Sequence, residues 1–163
     1  MPGKLFKSRF ALSRTMREAL KSIAVQVRDV VRDLPEGFDR GRELYVGADG
    51  TPTSSIDKVA EDAILRAVEE MDLPVNILSE EAGLIDRDYE DTLVVDPIDG
   101  THNAIMGVPL YSVSLAVGKD TLSGVRYGLV LDLVSDDMFY AEKGKGASLN
   151  GRKLRVRRPA VSY

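Results

Sequence analysis

Leu93-Val94-Val95-Asp96-Pro97-Ile98-Asp99-Gly100-Thr101-His102-Asn103 is the stretch on which the reading of this 163-residue chain turns. The apolar triplet predicts a buried strand over 93–95 that delivers Asp96 at its end. Pro97 stiffens the turn, and Asp99 follows three residues later, so both carboxylates can face one small volume. Two carboxylates that close repel each other unless a cation lies between them. The spacing suits a bridging divalent ion, with the Ile98 carbonyl as a neutral oxygen ligand, and an all-oxygen set points to Mg²⁺ or a similarly hard ion. Gly100 has no side chain to obstruct the N–H groups of the turn that follows. Thr101 is expected to cap a short helical turn beginning at His102-Asn103, and free amides there form an anion site. A metal beside an anion pocket suggests phosphate.

Taken alone, the segment could equally be a strand and a polar turn, with Asp96 accepting from turn amides and Gly100 permitting positive φ. A second strand, over 75–78, delivers Ser79-Glu80-Glu81 in the same way, and adjacent strands would bring Glu80 toward Asp96. The joint occurrence favours a site over two solvated strand ends.

Working outward, apolar residues at Phe6, Phe10, Leu20, Ile23, Val27, Val30 and Leu34 predict a long amphipathic helix over 4–34, ended by Pro35 and Gly37. Residues 39–52 are polar and Gly-rich with an Asp49-Gly50 turn, and read as a loop. A second helix begins at Ser54 or Ser55, presents Ile56, Ala60, Ile64, Ala67, Val68 and Met71, and closes at Leu73-Pro74. Beyond Pro74 the pattern changes to short strand-like runs at 75–78, 93–95, 111–117 and 125–131, with further candidates at 138–141 and 153–156. Gly144, Gly146 and Asn150-Gly151 mark turns. Two long helices followed by strands predict an α+β layered domain, the helices packed on a mostly antiparallel sheet.

Charge is unevenly spread. The net charge is −4, yet residues 43–142 carry 21 acids against five bases, while the first 42 residues carry ten bases against five acids. Residues 143–163 hold seven bases and no acid. That basic end lacks interleaved aromatics, so no nucleic-acid partner is expected. No run approaches a membrane span, and no membrane partner is expected. With no cysteine and a single histidine, thiolate and histidine-cluster metal sites are excluded, and a cytoplasmic protein is expected.

Asp57, three residues after Ser54, fits a capping arrangement for the second helix. It equally suits accepting a hydrogen bond from Thr101, the two together orienting and activating a water; both roles can coexist. His102 has no orienting partner and is left out of the catalytic set. Gly144-Lys145-Gly146 lacks the P-loop pattern and reads as a hairpin turn.

Asp-Pro-Ile-Asp-Gly-Thr at 96–101, Leu78-Ser79-Glu80-Glu81 upstream, and Asp49-Gly50-Thr51-Pro52-Thr53 leading to Ile56-Asp57 resemble, in that order, the lithium-sensitive inositol monophosphatase family. The flavour is similar to that of its archaeal members, which act on both fructose 1,6-bisphosphate and inositol monophosphate. Residues 124–150, with Ala141-Glu142-Lys143-Gly144-Lys145-Gly146 and Leu149-Asn150-Gly151, resemble the strands that follow the motif in that family. The resemblance implies a layered sugar-phosphatase-type fold and Mg²⁺-dependent hydrolysis of a small-molecule phosphate ester. It implies that Glu80, Asp96 and the Ile98 carbonyl hold one Mg²⁺, that Asp96 and Asp99 hold a second, and that Glu80 touches a third, weaker ion. Asp57 and Thr101 would be catalytic, Asp99, Gly100 and Thr101 would bind the phosphate, and Glu81 would support them. A haloacid-dehalogenase-type site is disfavoured, because that chemistry wants Asp-x-Asp and the spacing here is Asp-x-x-Asp.

Two departures from the family pattern stand out. Ala104 replaces the usual aromatic after the motif, and the chain has no Trp, whereas the family's second α/β domain supplies a further metal-binding Asp in a Trp-Asp motif. Residues 1–163 are therefore expected to be the N-terminal metal-binding domain without the C-terminal α/β domain, weakly active or inactive alone. The alternatives are a non-catalytic or self-associating domain and a bisphosphate-nucleotide phosphatase of the same superfamily. A homodimer is a further implication of the resemblance.

Overall fold

Residues 9–156 are described by the structure, a computed structural model. The first helix, α1 (Arg9–Arg32), buries Met16, Leu20, Ile23, Val27 and Val31 along one stripe. Its expected start at Lys4, and Phe6 with it, lie outside the described residues. Val30 and Leu34 pack only at the margin of the stripe. At about 100° per residue, Val31 falls nearer than Val30 to the line through Leu20 and Val27. The helix ends short of Leu34 because Pro35 disfavours helical geometry in the residue before it.

The stretch expected to be a loop over 39–52 contains β1 (Glu43–Val46), paired antiparallel with β2 (Pro52–Ser54) across the turn at Gly50 (φ 92°). Leu44-Tyr45-Val46 is β-prone, but all four residues of β1 are exposed, so no alternation marks it as a strand. The second helix, α2 (Ser55–Glu70), buries Ile56, Ala60, Ile64, Ala67 and Val68. It stops three residues before Leu73, where Met71 caps it and Asp72 turns left-handed (φ 46°).

The remaining elements are β3 (Asn76–Ser79), β4 (Gly83–Ile85), β5 (Thr92–Asp99), α3 (Thr101–Met106), β6 (Ser112–Gly118), β7 (Val125–Asp132), β8 (Met138–Glu142), β9 (Gly146–Leu149) and β10 (Arg152–Lys153). Among the described residues they form an eight-stranded sheet in the order β10-β9-β8-β7-β6-β5-β3-β4. Only the β3–β5 pair is parallel, so the expected mostly antiparallel α+β fold is what forms. β4 and β9 were not anticipated, being three and four residues long and rich in glycine or small side chains. The strand expected at 153–156 is confined to Arg152–Lys153, because the Asn150-Gly151 turn (φ 49° and 80°) pairs Leu149 directly with Arg152.

One face of the sheet carries both long helices, α2 over β5 and α1 over β6 and β7. Leu93, Val95, Val113, Leu115, Val117, Leu129 and Leu131 point into that layer and are buried. Leu78, Leu84, Val94 and Phe139 lie exposed. No helix among the described residues is long and apolar enough to cross a membrane. Leu93→Ala, at a fully buried position, is expected to lower unfolding free energy by about 2–5 kcal/mol in urea titrations. Val94→Ala next to it, on the exposed side, is expected to cost less than about 1 kcal/mol; equal losses would contradict the assignment of the two faces.

Candidate active site

The parallel pairing sets Ser79 opposite Val95, and the Glu80 amide donates to the Val95 carbonyl at 3.2 Å. Successive strand residues face opposite sides, so Ser79 and Val95 turn toward the helices while Glu80 and Asp96 turn the other way, side by side. β5 then continues through Pro97, where pairing with β6 shifts: Asp96 faces Ser114 and Asp99 faces Ser112, so β5 has gained a residue. A bulge is where a sheet tolerates proline, and it turns Ile98 into the core while leaving Asp99 exposed. Gly100 follows in the left-handed region (φ 96°), and a Cβ there would lie 3.0 Å from the Leu110 carbonyl oxygen. Glycine is required on both counts.

Gly100 is the N-cap of α3, and no side chain caps that helix. The expectation that Thr101 caps the turn is thus corrected: Thr101 lies inside the helix, and its hydroxyl is taken up elsewhere. Its Oγ1 lies 2.8 Å from Asp57 Oδ1 and 2.8 Å from the Ile98 carbonyl oxygen, so a single proton serves two acceptors. The other carboxylate oxygen of Asp57 accepts from the Ser54 amide at 3.1 Å and the Ser54 hydroxyl at 2.6 Å. Asp57 is buried at 3% exposure, and its capping and Thr101-pairing roles hold together. His102 is exposed.

The β1–β2 hairpin folds over the loop after β3. The Ala48 amide donates to the Glu81 carbonyl at 2.9 Å and the Asp49 amide to the Glu80 carbonyl at 3.3 Å. The Thr53 hydroxyl donates to the buried Glu81 carboxylate. Gly47 fits only because it lacks a Cβ, which would sit 2.8 Å from Glu81 Oε2. Asp49 also lies close enough to Glu80 to interact with it, while the Thr51 N–H and hydroxyl hold the Asp49 carboxyl below the usual range.

Among the described residues, no Lys or Arg forms an ion pair with Asp57, Glu80, Glu81, Asp96 or Asp99. Burial, followed by the neighbouring charges of Glu80 and Asp99, pushes the Asp96 carboxyl up to about 7. Burial, then Asp49, raises Glu80, and burial also raises Glu81. Asp96 Oδ1 is buried with no hydrogen-bond partner among the described residues. Among the described residues, no three His, Cys, Asp or Glu side chains converge into a ready-made metal cage. The donor chemistry nonetheless fits a hard cation, because every oxygen is hard, the local charge is uncompensated and one buried oxygen is orphaned.

The model of the inositol monophosphatase family matches residues 12–162. The chain belongs to that family. It is 40% identical over 144 residues to a fructose-1,6-bisphosphatase/inositol-1-monophosphatase of Methanothermobacter thermautotrophicus, covering 81% of this chain and 51% of the relative. A crystal structure of an inositol monophosphatase–fructose 1,6-bisphosphatase superposes with a TM-score of 0.75 at 36% identity, over 87% of this chain and 55% of the other. A Pyrococcus horikoshii protein with similarities to inositol-1 monophosphatase gives a TM-score of 0.76 at 31% identity, over 91% and 56%. The chain thus spans about half the length of these relatives.

Beside Asp57, Thr101, Glu80, Asp96, Ile98, Asp99 and Gly100, this structure places residues to which sequence reasoning gave no part in the site. Asp49 was read as a turn residue and as part of the Asp49–Thr53 motif, with no role beside Glu80 assigned to it. Glu61 is buried at 2% exposure one helical turn after Asp57, and an acid at i+4 on the apolar face of Ile56, Ala60 and Ile64 was the available signal.

A raised Asp96 pKa has a definite sign in stability. Between the ordinary 3.8 and about 7 the native state holds a proton that the unfolded chain has released. Metal-free stability therefore falls as pH rises through that window, and the penalty is complete above it. Asp96→Asn is expected to stabilise the metal-free chain by about 1 kcal/mol at pH 8, after discounting for partial solvent exposure, and by almost nothing at pH 4. Urea unfolding in a chelator at the two pH values measures this; a pH-independent difference would contradict it.

Proposed function

We propose that this chain supplies the metal- and phosphate-binding part of a Mg²⁺-dependent phosphomonoester hydrolase whose substrates are fructose 1,6-bisphosphate, inositol monophosphate or both. The observation that carries the reading is the Thr101 hydroxyl bonded to buried Asp57 at 2.8 Å, beside acids that form no ion pair with a Lys or Arg among the described residues. The name of the Methanothermobacter relative supports the substrate choice. Because the chain spans about half of such relatives, the activity is proposed for the whole protein.

In this reading Glu80, Asp96, the Ile98 carbonyl and Asp99 would hold Mg²⁺. When bound, the ion would neutralise these carboxylates and act as a Lewis acid toward phosphoryl oxygens. The chain's own residues do the rest. Ser54 fixes Asp57 through two hydrogen bonds, leaving Oδ1 to receive the Thr101 proton. A water aligned for in-line attack gives its proton to Thr101 Oγ1 as Thr101 passes its own to Asp57; the water oxygen bonds to phosphorus as the bond from phosphorus to the ester oxygen breaks, and the departing oxygen takes a proton from solvent. The amides of Gly100 and Thr101, at the start of a helix that no side chain caps, donate to the phosphate oxygens, with Asp99 bordering them.

Calorimetric titration with Mg²⁺ is expected to show binding that weakens at least about tenfold in Asp99→Asn. Phosphate release by the whole protein from fructose 1,6-bisphosphate, inositol 1-phosphate and a bisphosphate nucleotide is expected to require Mg²⁺ and to fall about 100-fold or more in Asp57→Asn. No Mg²⁺ binding, or release indifferent to Mg²⁺ and to Asp57, would refute the reading.

A further inference from the structure

Glu61 is a buried carboxylate that the catalytic reading does not use. Its Oε1 accepts from the Ser79 hydroxyl at 2.6 Å and from the Ala82 amide at 2.9 Å. The Ser79 oxygen in turn accepts from the Glu81 amide at 3.3 Å. Since Ser79 gives its one proton to Glu61, its lone pairs are left to face that amide. A single carboxylate oxygen on α2 therefore holds both ends of the segment 79–82, and Glu80 lies between them. Among the described residues no Lys or Arg pairs with Glu61. Burying such a group is costly, and an alanine or leucine would fill this apolar helix face at less expense. The Ser79 and Ala82 donors offset part of that cost.

We infer that Glu61 is a positioning residue: it pins the loop after β3 so that the Glu80 carboxylate stays beside Asp96, ready for a divalent cation. The inference rests on the metal-site reading above. Glu61 acts through the loop: its Oε1 is taken up by the Ser79 hydroxyl and the Ala82 amide. The carboxylate of Glu81, on the same loop, is held separately by Thr53.

The test is calorimetric Mg²⁺ affinity of the full chain, without substrate. Glu61→Ala is expected to weaken binding by about tenfold or more. Glu61→Gln keeps an oxygen able to accept from both donors, and is expected to stay within about threefold of wild type. Ser79→Ala, which keeps Glu61 but removes one donor, is expected to weaken binding in the same direction, and it decides the matter if Glu61→Ala does not fold. Val68→Ala, a buried change farther along α2, serves as the control: it lowers Tm but should leave Mg²⁺ affinity and hydrogen exchange at the Ala82 amide unchanged, whereas Glu61→Ala speeds that exchange. Wild-type binding that is unaltered in Glu61→Ala, or a Val68→Ala loss equal to that of Glu61→Ala, overturns the positioning role alone. A wild-type chain that binds no Mg²⁺ overturns the metal-site reading and this inference with it.

Discussion

The parallel pairing of β3 with β5 is the constraint on which the rest of the site depends. With Ser79 opposite Val95, the next residue on each strand is an acid, and the shared strand phase turns Glu80 and Asp96 to the same side. A one-residue slip would send one of them into the helix layer, where Leu93, Val95 and Ile77 are buried. The apolar face of the sheet thus fixes the register, and the register fixes the acidic pair. Electrostatic repulsion between them is tolerated because hydrophobic burial on the opposite face dominates the placement of both strands.

α2 connects the halves of the arrangement. Asp57 and Glu61 sit one turn apart on the side of the helix that meets the sheet, Asp57 reaching Thr101 after β5 and Glu61 reaching Ser79 after β3. The helix itself is anchored by Ile56, Ala60 and Ile64 in the core. Two buried carboxylates would be poor choices for stability alone, and each is satisfied by hydroxyl and amide donors instead of a basic partner. Both strand-end loops are therefore referenced to one rigid body, which keeps their separation from drifting.

Much of this was legible in the amino-acid sequence where local chemistry and periodicity agree. Asp-Pro-Ile-Asp-Gly-Thr combines a buried strand, a proline and a glycine with positive φ, each with a local backbone signature, and Ser54 with Asp57 is a recognisable helix start. The second helix follows its 3.6-residue period closely. The β1–β2 hairpin was hidden because an exposed strand has no apolar alternation, and β4 because three residues carry too little pattern. Asp49 gained its place only when the hairpin folded back onto the loop after β3. Glu61 shows a different limit: an acid in a helix normally marks a solvated face, and although its place on the apolar face of Ile56, Ala60 and Ile64 signals burial, its partners Ser79 and Ala82 come from another element and are visible only in the fold. Thr101 was assigned the wrong local role for a related reason, since a long-range carboxylate competes for its hydroxyl with the helix end.

The acidic cluster also explains why a fold with a large apolar core carries an internal electrostatic cost. Burial and neighbouring carboxylates raise Asp96 and Glu80, while the orphaned Asp96 oxygen forgoes a hydrogen bond that water would have provided. Local rules of stability are violated where the strand ends meet and are obeyed through the rest of the sheet. Such a concentration of unfavourable terms persists when the surrounding structure over-determines it. Here the over-determination has identifiable parts: the β3–β5 ladder, the bulge at Pro97, Gly100 against Leu110, and the donors converging on Asp57 and Glu61. Any ligand able to relieve the repulsion would bind a geometry already held open for it, and little of its binding energy would go into assembling the site.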